Sequence, residues 1–223
     1  PAYKANRDAA PDELRRQFAH CKALCEALGL NVLAHQDYEA DDLIGTALHV
    51  GRARGHRGVI VSADKDLSQL LAGLDEQWDY ARGQRWSASG VKARHGVEAH
   101  QIADYLALTG DAVDNIAGVP GIGPKTATAL MRHFPTLEEL YERVDTVRDL
   151  PLRGAAGLVE RLQRHRAAAF LARELTRIRC DMPMEVVCGQ LRRQRPDLDR
   201  IESFCAGNGF GMLLRRQAER LFA

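Results

Sequence analysis

The spacing of apolar residues in the first hundred positions changes from segment to segment, as expected of helices that alternate with strands. Between Asp12 and Leu28 the apolar positions recur every three or four residues, which predicts an amphipathic helix that Gly29 ends. A short strand is predicted at 31–34 and a second helix at 39–54. This order of elements is typical of an α/β unit.

The apolar run Val59–Val61 predicts a buried, parallel strand. The segments after it predict a short helix, two weaker strands and an almost wholly helical remainder: 67–71, 77–80, 85–86 and 99–223. We therefore expect an α/β domain over residues 1–98 and a helical region over 99–223.

Composition favours an intracellular protein with a sizeable core. The 223 residues are 45% hydrophobic, which suits one large domain or a domain with a subdomain. No run of eighteen apolar residues and no signal-peptide pattern occurs, so we expect no membrane segment and a cytoplasmic location. Because no CxxC pair occurs, reduced thiols are expected at the five cysteines, which are Cys21, Cys25, Cys180, Cys188 and Cys205.

Charge is distributed unevenly along the chain. Residues 1–150 carry 17 basic and 22 acidic side chains, whereas residues 151–223 carry 14 basic side chains, all Arg, and 8 acidic ones. A basic C-terminal part suits phosphate contacts and an acidic first part suits divalent cations, although solvated charged faces explain either half alone.

Seven carboxylates stand at predicted strand ends or helix starts. They fall in three groups: Glu39, Asp41 and Asp42; Asp64 and Asp66; Asp111 and Asp114. The first group begins a helix, the second follows the strand 59–61, and the third is expected to face one way on a helical turn. Helix capping explains any one group, but seven carboxylates exceed what caps require. Hard oxygen ligands in this number suit two Mg²⁺ or Mn²⁺ ions at a phosphodiester.

A glycine-rich segment, Gly118–Lys125, leads into a helix predicted to end near His133. Its glycine order matches neither a Walker A loop nor the G-x-G-x-x-G fingerprint. Backbone amides, the start of the next helix and Lys125 together suit a DNA phosphate, which predicts contact with the backbone rather than with bases. A purely structural turn between two helices is the alternative.

Four stretches carry a resemblance, in the same order, to the 5′ nuclease and flap endonuclease family, in particular to the exonuclease domains joined to bacterial DNA polymerases I. They are Tyr3–Arg7, Tyr38–Leu43, Ser62–Leu67 and Leu108–Asp111 with Asp114–Ala127. The resemblance implies a PIN-like parallel-sheet core with an arch-base segment at 1–12. It also implies a helix-hairpin-helix motif in the helical part.

The resemblance further implies roles for individual residues. Glu39, Asp41, Asp42, Asp64, Asp66, Asp111 and Asp114 would bind or organise the metals, with Lys4, Arg7, Asp64 and Asp66 in catalysis. DNA would meet Tyr3, Lys4, Arg7, Gly118, Gly121, Gly123, Lys125 and Thr126, and a K⁺ ion would meet the backbone of Val119 and Ile122.

The resemblance implies two-metal hydrolysis of DNA at a free 5′ end, flap or nick, which leaves a 5′ phosphate. It also implies a monomer that is fused to a DNA polymerase or cooperates with one. A non-catalytic DNA-binding fragment and a ribonuclease with the same acidic core are the alternatives. Family members begin with an apolar strand bearing a catalytic Asp, and a second Asp precedes the Tyr-Lys motif. Since this sequence holds neither, we expect exposed apolar sheet edges, and activity only when that segment is supplied.

Overall fold

The chain folds into helices around a small sheet in the computed structural model, which describes residues 3–183 and 191–220. The helices of the described residues are α1 (Asp12–Ala27), α2 (Ala40–Arg52), α3 (Ala88–His95), α4 (Ile102–Thr109), α5 (Pro124–His133), α6 (Leu137–Glu142), α7 (Ala155–Arg164), α8 (Arg166–Thr176), α9 (Leu198–Asn208) and α10 (Leu213–Arg220). The strands are β1 (Val59–Val61), β2 (Glu76–Asp79), β3 (Gln84–Ser87), β4 (Gly110–Asp111) and β5 (Ile116–Ala117). Short 3₁₀ turns lie at Asp66–Leu70, Ala99–Gln101 and Val144–Asp149.

The main sheet has the order β1-β2-β3, with β1 parallel to β2 and β2 antiparallel to β3. Gln77 is the central residue of this register, opposite Ile60 on one side and Trp86 on the other. Among the described residues β1 pairs only with β2, so its other edge is open. Ile60 is buried, but Val59 and Val61 are exposed, which corrects the expectation of a wholly buried strand. An exposed apolar edge of this kind was expected for the sheet.

Most predicted elements are confirmed within two or three residues of their bounds. The helices predicted from Asp12 and from Glu39 are α1 and α2, and the two weaker strands are β2 and β3. The strand predicted at 31–34 is wrong. That segment pairs with no strand within 3–183 and 191–220. Its flank is instead held by residues 192–194, where Gln194 N–H donates to the Gly29 carbonyl at 2.8 Å.

The core surrounds α4, which packs against α5 and α8. One continuous cluster of buried residues runs from Ile60 and Trp86 of the sheet through Leu108 to Leu162 of α7. Since this cluster crosses position 98, the division into 1–98 and 99–223 stays a prediction. A separate small cluster joins α1, α9 and α10.

The described residues contain neither a membrane-spanning helix nor a disulfide bond. Within residues 3–183 and 191–220, no helix combines the length and apolar character that a membrane crossing requires. The described thiols, Cys21, Cys25, Cys180 and Cys205, are all free. Cys188 lies outside the described residues.

Candidate active site

An acidic cleft of about 530 Å³ opens between the start of α2 and the segment that follows α8. Carboxylates from well-separated parts of the chain line it: Asp37, Glu39, Asp41, Asp42, Asp66, Asp114, Glu174 and Asp181. Tyr3 borders the cleft, as do Arg177 and Arg179. The fold therefore brings members of all three predicted carboxylate groups to one place.

The first group lies at the N-terminus of α2, and its members have different roles. Glu39 and Asp42 form a capping box, so the helix-cap interpretation holds for these two. Glu39 also accepts hydrogen bonds from Tyr3 Oη at 3.0 Å and from Lys4 Nζ. Burial raises the pKa of Glu39, but those hydrogen bonds outweigh it and leave the pKa below its ordinary value. Burial, followed by the charges of Asp64 and Glu39, raises the pKa of Asp41.

The second group lies on the loop between β1 and the next 3₁₀ turn, residues 62–66, which we name the Ser62–Asp66 loop. The loop closes on itself, because Asp64 N–H donates to Ser62 Oγ at 3.1 Å and Asp66 N–H donates to Asp64 Oδ1 at 3.0 Å. Asp66 Oδ1 is buried without a hydrogen-bond partner among the described residues. Burial, together with the charges of the other carboxylates, raises the pKa of Asp66 to about 7.

The third group does not lie on a helical turn, which corrects the prediction. Gly110 ends α4 with φ +74°, and the chain reverses through a turn between β4 and β5. Asp111 is on β4 and buried, whereas Asp114 is on the turn. Asp111 Oδ1 accepts the Val113 amide at 2.8 Å, and its Oδ2 pairs with Lys65 Nζ at 3.0 Å.

The basic residues of the arch-base segment form ion pairs with acids of the cleft. Arg7 pairs with Asp114, and Lys4 pairs with Glu39 and lies 3.7 Å from Asp114 Oδ2. The Lys4 amide also donates to the Asp114 carbonyl at 2.9 Å, which fixes this segment beside the β4–β5 turn. Lys4 and Arg7 thus stand at the acidic cleft, where the resemblance implies contact with a scissile phosphate.

Sequence reasoning missed six charged side chains at this place, which are Asp37, Lys65, Glu174, Arg177, Arg179 and Asp181. Lys65 stood inside a recognised motif but received no role. Asp37, Arg177 and Arg179 line the cleft, and Arg179 N–H donates to Asp42 Oδ1 at 2.9 Å. The Arg179 contact joins positions 137 residues apart, and no sequence spacing signals such a pairing.

The side chains of the cleft have the chemistry that a hard divalent cation needs, but in this structure their oxygens do not come close enough together to bind one. Carboxylate oxygens are the ligands that Mg²⁺ and Mn²⁺ prefer, and the unpartnered Asp66 Oδ1 is a free acceptor beside the cleft. Within the part of the chain that the structure describes, however, no three acidic, His or Cys side chains approach closely enough to hold a metal ion. Lys4, Arg7 and Lys65 neutralise three of the acids in this arrangement.

The glycine-rich hairpin lies beyond the β4–β5 turn and leads directly into α5. Gly121 has φ +78° and is exposed, and Gly123 precedes Pro124 at the start of α5. Lys125 is exposed and makes no ion pair with a carboxylate among the described residues. The open amides of this helix start and Lys125 together suit an anion.

Other members of the predicted hairpin set have packing roles in the structure. A Cβ at Gly118 would lie 2.3 Å from the Gly110 amide nitrogen, so Gly118 serves the close approach of two backbones. Val119 and Ile122 are buried, and Ile122 N–H donates to the Val119 carbonyl at 3.0 Å. A K⁺ ion at these carbonyls stays a prediction.

Two family models match the chain in succession. The 5′-3′ exonuclease N-terminal resolvase-like domain matches residues 1–96, and the 5′-3′ exonuclease C-terminal SAM fold matches residues 97–199. These descriptions confirm the predicted fold class, an α/β core followed by a helical part.

Curated relatives agree with the family models. DNA polymerase I of Pseudomonas aeruginosa is 42% identical over 89% of the chain, and a protein named 5′-3′ exonuclease from Buchnera aphidicola is 31% identical over 85%. The chain spans 22% of the first relative's length and 66% of the second's.

Solved structures share the fold at lower identity. A bacteriophage T5 5′-exonuclease with bound zinc has a TM-score of 0.65 at 20% identity, over 99% of this chain and 75% of its own. The catalytic core of Rad2 in complex with DNA substrate has a TM-score of 0.59 at 15% identity, over 97% and 71%.

Proposed function

The chain belongs to the 5′-3′ exonuclease family, and from that premise we propose that it hydrolyses phosphodiester bonds at the 5′ ends of flapped or nicked DNA. The observation that carries the proposal is the acidic cleft, where carboxylates of three distant segments meet Lys4 and Arg7. Crowded acids with basic side chains among them are suited to a reaction at a phosphate, whose negative charge needs cations.

We propose that the cleft works with two divalent cations, Mg²⁺ or Mn²⁺. Support comes from two relatives in the fold, a T5 5′-exonuclease solved with zinc and a T5 flap endonuclease solved with DNA and metal ions. In this chain the cations would be held by Asp41, Asp64 and Asp66. The capping residue Asp42 and the ion-paired acids Glu39, Asp111 and Asp114 would join them. When bound, such cations lower the pKa of water and stabilise charge on phosphate oxygens.

Lys4 and Arg7 supply the chain's own positive charge to the scissile phosphate. Each now pairs with a carboxylate of the proposed metal set. When cations bind those carboxylates, Lys4 and Arg7 would be released to pair with the phosphate instead. Tyr3 holds Glu39 through its hydroxyl and lines the cleft, where it borders the path of a single-stranded 5′ end.

Duplex DNA is held at a second place, the glycine-rich hairpin. Lys125, Thr126 and the exposed glycines Gly121 and Gly123 grip the phosphate backbone through charge and amide donors, without reading bases. A K⁺ ion at the carbonyls of Val119 and Ile122 would add positive charge there.

The biological setting is part of the proposal, and the relatives support it. DNA polymerases I match over most of this chain, so we propose that the nuclease acts beside a polymerase, fused or cooperating, in DNA replication and repair. We place it as a monomer in the bacterial cytoplasm.

The direct test is cleavage of a labelled 5′ flap by the full-length protein in Mg²⁺. Asp64→Ala should lower the rate at least about 100-fold, since it removes a proposed ligand. Asp145→Ala, which removes an exposed acid of a remote 3₁₀ turn, should keep the rate. Full activity of Asp64→Ala would contradict the proposed site.

Two further outcomes select other functions. DNA binding without cleavage at any Mg²⁺ or Mn²⁺ concentration would identify a binding module. Preferential cleavage of RNA flaps over DNA and hybrid flaps would identify a ribonuclease.

A further inference from the structure

A buried polar network lies directly beneath the Ser62–Asp66 loop. At its centre is Gln77 of β2, whose side chain is fully buried. Gln77 Nε2 donates to the Ser62 carbonyl at 3.0 Å and to the Asp64 carbonyl at 2.6 Å. Its Oε1 accepts from Ser68 Oγ at 2.7 Å. The two ends of the amide thus join the loop to the core.

The network continues through Ser68, which is also fully buried. Ser68 Oγ accepts from Trp86 Nε1 at 3.0 Å and lies 3.3 Å from His95 Nε2. The orientation of the Gln77 amide is determined by its partners, because two backbone carbonyls can only accept hydrogen bonds. Gln77 therefore uses both amide hydrogens and its oxygen, and no polar group of the side chain is left unsatisfied.

The hydrogen bonds to the loop carbonyls indicate that Gln77 has a role beyond packing in the sheet. An apolar residue would occupy the interior of β2 without needing hydrogen bonds, whereas a buried amide is tolerated only when it is paired. Both hydrogens of the Gln77 amide are spent on the loop, one on the Ser62 carbonyl and one on the Asp64 carbonyl. Asp64 itself is exposed, so its carboxylate is held by the backbone of the loop, including the Asp66 amide that donates to its Oδ1, rather than by packing.

We propose that Gln77 is a positioning residue for the nuclease site. It anchors the backbone of the Ser62–Asp66 loop and so presents the carboxylates of Asp64 and Asp66 to divalent cations. This inference rests on the proposed function for its consequence, but the anchoring is a property of the loop and can be measured without metal. Outer groups that hold metal ligands in place commonly affect metal affinity about 10- to 100-fold, and we expect an effect of that order here.

The chain offers a matched control in Gln101. This second buried glutamine donates through Nε2 to the carbonyls of Met131 at 2.8 Å and Pro135 at 3.0 Å, and its Oε1 accepts the Glu98 amide at 3.1 Å. Each of the variants Gln77→Met and Gln101→Met therefore removes two hydrogen bonds from a buried amide to backbone carbonyls. The pair lost in Gln77→Met lies at the loop, and the pair lost in Gln101→Met lies in the helical part.

Two measurements on the full-length protein test the proposal. Mn²⁺ affinity, from the electron paramagnetic resonance signal of free Mn²⁺, should fall about 10- to 100-fold in Gln77→Met and stay unchanged in Gln101→Met. Hydrogen exchange in metal-free protein should become faster at the amides of Asp64 and Asp66 in Gln77→Met only. Both variants should lose thermal stability to a similar extent.

Equal Mn²⁺ affinity and equal loop protection in the two variants would overturn the proposal and leave Gln77 a structural residue. If Gln77→Met does not fold, Ser68→Ala provides the milder change, because it removes the donor to Gln77 Oε1 and should give the same effects at smaller size. The proposed function fails if the parent protein binds no Mn²⁺, or if Asp64→Asn leaves its Mn²⁺ affinity unchanged. In either case the hydrogen-exchange comparison still decides whether Gln77 anchors the loop.

Discussion

The carboxylates of the acidic cleft differ in how their charge is balanced. Glu39, Asp111 and Asp114 each have a basic partner. Asp66 has a pKa raised to about 7, and its Oδ1 is buried with no hydrogen-bond partner in the described part of the chain. Burial and neighbouring negative charge are the causes, and both are common where acidic side chains crowd at a functional site.

Asp66 should make the metal-free protein less stable as pH rises. Its pKa is about 7 in the folded chain against an ordinary value of 3.8, so the folded state binds more protons between those values. Stability is therefore lost from about pH 4 to about pH 7 and is level above. Asp66→Asn should be more stable than the parent at pH 8 by on the order of 1–3 kcal/mol, a figure reduced for partial solvent access.

Urea unfolding in EDTA at several pH values measures this difference. Asp12→Asn is the control, because Asp12 is 87% exposed on α1 and should leave the pH profile of the parent unchanged. The assignment fails if Asp66→Asn keeps the full loss of stability between pH 4 and pH 7.

At this scale the sequence predicted which groups of carboxylates come together but not how their members pair with basic residues. The three carboxylate groups were found from strand ends, helix starts and motif order, and members of each lie at one cleft. Contacts such as Lys4 with Glu39 and Arg7 with Asp114 join positions 35 and 107 residues apart. No local spacing contains that information, because it depends on how the elements pack.

Among the elements, the β4–β5 hairpin has the strictest backbone requirement. It turns the chain out of α4, places Asp111 and Asp114, and leads into the glycine-rich hairpin. Gly110 and Gly118 lie against each other, so neither position has room for a side chain. The periodic pattern predicted a helical turn here because i, i+3 spacing of Asp111 and Asp114 is shared by many turns.

Gly110→Ala should be strongly destabilising. A Cβ at this position would lie 2.5 Å from the Gly118 nitrogen and 2.6 Å from the Ile116 carbonyl oxygen, and the φ of +74° with ψ of 173° is a conformation that side chains avoid. We expect a loss of about 2–4 kcal/mol in the free energy of unfolding, measured by denaturant titration.

Gly157→Ala is the opposite case on α7. That glycine is exposed in a helix, and a Cβ added to it would meet no heavy atom within 4 Å, so alanine should stabilise the protein by about 0.5–1 kcal/mol. Equal losses in both variants would mean that backbone crowding is not what sets the cost at Gly110.

Helices were easier to predict than strands for a physical reason. The periodicity of α1 and α2 lies within one segment, whereas a strand exists only through a neighbour. Residues 31–34 have the apolar pattern of a strand but no strand partner among the described residues, and β1 has a partner on one side only. Pairing partners are a property of the fold, so the sequence predicted the elements better than the sheet.

Across the whole molecule, acidic side chains collect at the cleft, whereas basic side chains lie both at the cleft and at the glycine-rich hairpin. The carboxylates line the cleft, while Lys125 stands at the hairpin and the Arg side chains of residues 151–223 dominate the C-terminal part. Arg161 of α7 lies next to the hairpin, with its guanidinium 3.7 Å from a Cβ position at Gly121. Lys125 and Arg161 therefore bring two positive charges to the hairpin that we propose holds duplex DNA.

The steepness with which DNA affinity falls as salt rises should report this grip, because each cation that neutralises a duplex phosphate releases about 0.9 counterion. Lys125→Ala should therefore weaken binding to a nicked duplex and reduce the slope of log K against log salt by about one. Lys22→Ala removes another exposed lysine, from α1, which packs against α9, and should keep the slope. Fluorescence anisotropy titrations over a range of KCl concentrations make the comparison. An unchanged slope for Lys125→Ala would remove the hairpin from the DNA interface, whereas an equal drop in both variants would assign binding to net charge alone.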